Sequence, residues 1–382
     1  MKLASQDFVR RLPDSNQDFA RAAGMWKRLH IDPILLLLLL LLTCYGVVVL
    51  YSASGQQEIL VRRQLIFFII AYVAMFITAQ LDIEMVRRWA PWFYLGGIVL
   101  LVLVFFWGVG AKGAQRWLSL GFMRFQPSEV MKLAVPIATA AYFSSRALPP
   151  QFKHIFVCLF IIVVPAILIF KQPDLGTAIL ISASGIIVLF LAGLPWRYII
   201  GSIVVLAASI WPMWHWVMKD YQKQRVLTLL DPEADKLGAG WNIIQSKTAI
   251  GSGGLQGKGL FNGTQSQLDF LPESHTDFII AVMAEEFGLI GVLVLIALYL
   301  LVIARGLFIA LNAQSMFGRL LAGSVTLTFF VYVFVNIGMV AGMLPVVGVP
   351  LPLVSLGGTS IVTMLTGFGL LMAIATEKKR VS

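Results

Sequence analysis

Positions 35 to 42 are eight consecutive leucines, and no charged residue occurs between Pro33 and Gln57. A helix rises about 1.5 Å per residue, so about 20 apolar residues cross the roughly 30 Å hydrocarbon core of a bilayer. A helix that is apolar on every side must be buried, in protein or in lipid. Composition decides between the two. Of 382 residues, 59% are apolar and 13% charged, against about 45–50% and about 25% in a soluble domain. One water-facing globule has no room for that excess, so much of it faces lipid. A secreted or cytosolic enzyme, a disordered chain and a disulfide scaffold are excluded. Cys44 and Cys158 each lie within an apolar run and read as packing residues.

The same length criterion marks ten candidate spans, near 33–53, 65–82, 93–110, 129–145, 154–171, 175–194, 197–216, 277–304, 318–343 and 352–375. Strand-period alternation is absent, which excludes a β-barrel. The expected fold is therefore an all-α integral membrane protein with ten transmembrane helices. An even number puts both termini on one side. If that side is the cytoplasm, short inner segments carry 16 Lys and Arg and short outer segments carry 6. Basic residues accumulate on the cytoplasmic side of short loops, so the orientation is N-in, C-in. This rule and anionic membrane lipids account for the net charge of +10 without nucleic acid. The expected organisation is a cytoplasmic tail 1–32, helices 33–216, one large outer loop 217–276, helices 277–375 and a cytoplasmic end 376–382. The tail is too long, and the first apolar stretch too extended, for a cleavable signal peptide, so the first span stays as an anchor.

Polar residues that solvation does not explain gather on the outer side. Loop 217–276 contains a glycine-rich stretch, Gly251-Ser252-Gly253-Gly254 followed by Gly257, Gly259 and Gly263, with Lys247 and Lys258 interleaved. Backbone N–H groups and lysines could cradle an anion there, although the stretch matches neither nucleotide-binding fingerprint; the alternative is a flexible turn cluster. The loop ends in Ser274-His275-Thr276-Asp277 and runs into a helix expected over 277–304, with Asp277, Glu285 and Glu286 in an extension at or above the outer interface, facing a cavity. Asp277 reads either as a first-turn carboxylate behind a Thr276 cap or as a group placed to take a proton or bind a metal. Glu129 and Lys132, three apart near the start of the fourth span, share a helix face: a functional pair or a self-satisfied ion pair. Asp174 is expected to cap the sixth span, and Asn336 to hydrogen-bond between helices.

Five motifs carry a resemblance: Gly113-Ala114-Gln115-Arg116-Trp117, Arg124-Phe125-Gln126-Pro127-Ser128-Glu129, Gln172-Pro173-Asp174-Leu175-Gly176-Thr177, Phe270 through Phe278, and Pro350-Leu351-Pro352-Leu353-Val354-Ser355. In this order the chain resembles the SEDS family (shape, elongation, division and sporulation) from Asp32 to its end. Leu229-Leu230-Asp231-Pro232 with Gly238-Ala239-Gly240, and the short C-terminus, lean toward the elongation branch. The resemblance implies a peptidoglycan glycosyltransferase of the bacterial cytoplasmic (inner) membrane that polymerises lipid II at the periplasmic face. It implies Asp277 as the essential carboxylate and Glu129 with Lys132 as an ion pair of the site. The chemistry of glycosyl transfer then assigns Asp277 as general base or metal ligand, Lys112, Arg116 and Arg124 as binders of the pyrophosphate, Glu129 and Lys132 as shaping the cavity, and Trp117, Lys258 and His275 as further candidate substrate-binding residues. The resemblance also implies a divalent cation (Mg or Mn), a class B penicillin-binding protein transpeptidase as partner, and other membrane proteins of the elongation complex. The rival classes are a flippase for the lipid-linked precursor and a non-catalytic scaffold for the transpeptidase.

Overall fold

Asp32 opens the first helix: its carboxylate accepts the Leu35 N–H at 2.8 Å, and Pro33 occupies the first turn, where a missing N–H costs nothing. The structure is a computed structural model that describes residues 29–111, 114–119, 124–235, 239–264 and 274–377. The leading helices are α1 (Pro33–Ala53), α2 (Glu58–Ala79) and α3 (Ile83–Trp107). Three short strands follow, β1 (Val109–Ala111), β2 (Ala114–Ser119) and β3 (Arg124–Phe125), then α4 (Pro127–Ser144), α5 (Phe152–Lys171), α6 (Leu175–Leu191) and α7 (Trp196–Pro212), which a π-helical turn prolongs to Val217. Two loop helices, α8 (Asp220–Leu230) and α9 (Ala239–Gly253), precede α10 (Ile279–Asn312), α11 (Met316–Val340) and α12 (Gly358–Ala375).

Among the described residues, eight helices are long and apolar enough to cross a membrane: α1, α2, α3, α5, α7 with its π turn, α10, α11 and α12. The expected fourth and sixth spans correspond to α4, which has 18 residues and carries Glu129 and Lys132, and α6, which has 17. The core lies where α2 packs along α12, α10 along α1 and α11, and α6 along α5 and α11, with α4 wedged against α3, α6 and α11. By contrast α7 has no buried residue and stands at the periphery.

At one end of the bundle Arg305 grips Asp32 with two bonds of 3.1 and 2.5 Å, and His30 Nδ1 lies 3.0 Å from Thr376 Oγ1. The two ends of the described chain therefore meet at this end of the bundle. The other end carries the sheet, α8, α9 and the 274–278 turn.

Four expectations shift. Helices α2 and α3 start seven and ten residues earlier than the apolar runs at 65 and 93, because charged first turns such as Glu84 with Arg87 (2.5 Å) stay helical beyond the hydrocarbon. The 111–128 loop contains an antiparallel sheet in the order β1-β2-β3, which the absence of strand alternation does not announce. Helix α12 starts at Gly358 rather than 352, because residues 352–354 form a turn in which Leu353 has φ 60°, outside the helical region. Helix α10 begins at Ile279 and breaks at Gly288 (φ 64°, ψ −163°), a backbone conformation open essentially to glycine alone.

Candidate active site

Asp277 lies in a non-helical turn, two residues before α10, whose N-cap is Phe278 without a side-chain cap. The reading of Asp277 as a first-turn carboxylate behind a Thr276 cap is thereby corrected: the turn is held by tertiary bonds instead. Asn336 of α11 donates through Nδ2 to the Asp277 carbonyl at 2.9 Å and to the Val349 carbonyl at 2.7 Å. Ser355 donates to the Thr276 carbonyl at 2.5 Å while accepting the Leu351 N–H at 2.9 Å. Leu356 N donates to the His275 carbonyl at 3.0 Å, and Ser274 Oγ to the Ala53 carbonyl at 3.2 Å. Four consecutive residues are thus stitched to α1, α11 and the proline-rich 345–357 turn. That turn is itself anchored by Tyr299 OH on the Pro352 carbonyl (2.6 Å) and Gln64 Nε2 on the Ser355 carbonyl (3.0 Å). The half-buried Asp277 carboxylate lies against Gly348, where an added Cβ would sit 3.4 Å from Oδ2. A carboxylate on so firmly held a backbone is preorganised to take a proton or hold a cation.

Glu129 and Lys132 form a buried ion pair of 2.7 Å in the first turns of α4. Lys132 Nζ also lies 5.0 Å from the centre of the Tyr332 ring. Tyr332 precedes Asn336 by four residues on α11 and so shares its face. It packs with Leu180 of α6 and with Val349. Through this face of α11 the ion pair is tied to the segment that carries Asp277.

The remaining expected contacts divide. Lys112 lies outside the described residues. Arg124 pairs through its backbone with Ser119 between β3 and β2. Trp117 is half-buried on β2, in register with Val109. Arg116 turns its guanidinium onto the end of α5: Nε donates to the Gln172 carbonyl at 3.2 Å, Nη2 donates to the Pro173 carbonyl, and Nη1 lies 3.8 Å from Asp174 Oδ2. Asp174 caps α6 through the Thr177 N–H at 3.3 Å, as expected, and also accepts from Gln126 Nε2 at 3.3 Å. Arg116 therefore fastens the sheet to the α5–α6 turn. His275 contributes its carbonyl to the turn described above.

The glycine-rich stretch does something other than cradle an anion. Lys258 N and Gly259 N donate to the carbonyls of Glu285 and Glu286, both at 3.0 Å, and Leu289 N and Ile290 N donate to Gly254 and Leu255 at 3.0 and 3.2 Å. The stretch thus lends hydrogen bonds to both sides of the break at Gly288, which broken helices within a bundle require. Gly257 is needed for close approach, since a Cβ there would meet the Glu286 carbonyl oxygen at 2.1 Å. Lys258 Nζ bonds Glu285 at 2.7 Å, and Thr264 donates to the same oxygen from its N–H and hydroxyl at 2.8 and 2.9 Å. Glu286 accepts from Ser52 of α1 at 2.6 Å. Both glutamates are buried, at 0% and 2% exposure, rather than facing a cavity at or above the interface. Their role is to lock the kinked α10 to α1 and the loop.

Sequence reasoning overlooked Tyr332, Ser355 and Gly348. Ser355 closes a quoted motif, and Tyr332 stands four residues from Asn336, so helical spacing was the available signal.

The bundle defines a multi-pass membrane protein, and comparison with known proteins assigns its family. The model of the FtsW/RodA/SpoVE cell cycle proteins matches residues 32–380, and the chain belongs to that family. It is 56% identical over 310 residues to the peptidoglycan glycosyltransferase MrdB of Escherichia coli K12, covering 81% of this chain and 84% of that one. It is 38% identical over 316 residues to the probable peptidoglycan glycosyltransferase FtsW of Geobacter metallireducens, covering 81% and 83%. Among solved structures it resembles a chain from work on coordinated polymerization and crosslinking by a peptidoglycan synthase complex, at TM-score 0.78 and 31% identity over 90% of this chain and 97% of that one. The rod shape determining protein RodA of Thermus thermophilus superposes at TM-score 0.70 with 28% identity, covering 91% and 98%.

Proposed function

We propose that this chain is a peptidoglycan glycosyltransferase that polymerises lipid II into glycan strands at the periplasmic face of the bacterial cytoplasmic membrane during cell elongation. The observation that carries the proposal is the identity of more than half, over four fifths of both chains, with an enzyme of that name. In this reading α4 and α6 complete ten transmembrane helices, both termini are cytoplasmic, and the end of the bundle with the sheet and loop helices faces the periplasm.

Glycosyl transfer joins an acceptor sugar hydroxyl to the anomeric carbon of the donor. The bond from that carbon to the lipid diphosphate breaks, and its electron pair leaves with the diphosphate. Asp277 takes the hydroxyl proton, a task for which a positioned carboxylate contributes about 10²–10⁴-fold. The 345–357 turn, Asn336 and Ser355 fix where that carboxylate stands. Lys112 and Arg124, which flank β2 in sequence, bind the diphosphate, while Trp117 and His275 border the substrate. Arg116 and the Glu129–Lys132 pair shape the site by holding its walls, and Lys258 acts at one remove through Glu285.

A divalent cation, Mg or Mn, is the proposed cofactor, since such hard cations take carboxylate oxygens. In the alternative role for Asp277, its carboxylate would hold the ion, which would offset charge on the departing diphosphate. A class B penicillin-binding protein is the proposed partner within the elongation complex, supported by the likeness to a chain of a peptidoglycan synthase complex. The test is strand synthesis from labelled lipid II in liposomes with that partner, with and without chelator. Polymer that disappears with chelator and returns with Mg or Mn supports enzyme and cation together. Outward transfer of intact lipid II without polymer would replace the enzyme with a flippase.

A further inference from the structure

Three side chains of α11 fall on one face at intervals of four residues, Thr328, Tyr332 and Asn336. Thr328 Oγ1 and Asn336 Oδ1 are buried without a hydrogen-bond partner in the protein, and Tyr332 OH has none beyond the neighbouring Lys132 ammonium. Buried threonines elsewhere in the bundle close the bond locally. Thr139 and Thr326 donate to the carbonyl four residues back at 2.7 and 2.8 Å. Thr328 does not, and it stands at the midpoint of Met316–Val340, about 18 Å from either end at 1.5 Å per residue. At that depth lipid offers no partner, and an unsatisfied hydroxyl is costly.

Thr328 and Tyr332 line a cavity of about 40 Å³ between α4, α11 and α12. Lys132 and Thr363 line it too. Lys132 directs one of its three N–H groups to Glu129 at 2.7 Å, and Thr363, which donates to Thr359 at 3.1 Å, keeps its acceptor lone pairs. The lining residues therefore include one that carries an ammonium and three that carry hydroxyls, around a space with room for a water and with the two to four polar groups such a water needs. The rest of the lining, including Phe329 and Phe368 packed edge-to-face at 5.1 Å, is apolar.

We infer that this pocket holds a water that ties Lys132 to the polar face of α11, with Tyr332 as a positioning residue acting through Lys132. The water accepts from Lys132 and bonds the hydroxyls of Tyr332 and Thr328. It keeps the Glu129–Lys132 pair aligned with the helix that holds the Asp277 segment.

The test is hydroxyl-radical labelling of the full-length protein in nanodiscs, with X-ray pulses splitting waters where they stand. Phe329 and Phe368, at 4% and 1% exposure, report the cavity; Phe143 and Phe317, at 0% and 2%, do not line it and serve as controls. Labelling of Phe329 and Phe368 above the controls, abolished by Thr328→Val with Tyr332→Phe, is the expected result. Labelling no higher than the controls, or undiminished in the double variant, overturns the site. The second arm rests on the proposed polymerase activity: Tyr332→Phe lowers kcat severalfold with KM unchanged, and an unchanged kcat overturns the positioning role. Labelling needs no turnover, so failure of the proposed activity and failure of the water site are read separately.

Discussion

Asp277 is useful because of what holds its backbone. Asn336 satisfies two carbonyls from different segments, so Asn336→Leu leaves both buried and unpaired at about 1–3 kcal/mol each. A fall in melting temperature with loss of polymerisation is expected, measured by thermal unfolding in detergent beside the strand assay. Lys132 poses the opposite problem. Lys132→Met strands the Glu129 carboxylate in the bundle, at 5% exposure, and costs about 3–5 kcal/mol. Glu129→Leu combined with Lys132→Met should recover most of that stability without recovering activity. Equal stability of single and double variants in a double-mutant cycle would contradict the buried pair. The carboxylate, the ion pair and Asn336 were legible as polar residues that membrane solvation could not explain. Their partners were not, because hydrogen bonds between positions 336, 277 and 349 depend on packing that no local pattern encodes.

Among the elements, the break in α10 carries the most information. A 28-residue run from 277 to 304 reads as one long helix, and nothing in its periodicity signals that Gly288 turns left-handed. The glycine-rich stretch, which resembled an anion cradle, is the complement of that break. Gly257→Ala must push the Glu286 carbonyl aside and is expected to destabilise by about 2–4 kcal/mol. Gly251→Ala, with open space around it in α9, should be neutral or stabilising by up to about 1 kcal/mol. Chemical denaturation of the two variants checks the contrast, and equal effects would mean that the stretch does not clamp the kink. The small sheet escaped sequence reading for another reason: β1 and β3 have three and two residues, too short to alternate, and the six residues of β2, Ala114-Gln115-Arg116-Trp117-Leu118-Ser119, do not alternate strictly.

For the whole molecule, hydropathy made the helical membrane class legible, since lipid forces each segment to satisfy its own backbone. It could not rank the helices by burial, which leaves α7 bare and encloses α6 and α11. The orientation is testable in a chain with Cys44 and Cys158 replaced by alanine. Leu230→Cys and Leu311→Cys, at 77% and 75% exposure in the wild-type side chains, stand at opposite ends of the bundle. A membrane-impermeant maleimide added to spheroplasts should label the first and reach the second only after lysis; the reverse pattern would invert the topology. Most direct of all is the activity of Asp277→Asn with the transpeptidase partner in liposomes, scored beside its melting temperature. Asparagine keeps the shape of the side chain and the backbone bonds to Asn336, so a folded variant with wild-type melting and no glycan polymer is the predicted result. Polymer made at the wild-type rate would contradict Asp277 as the catalytic carboxylate.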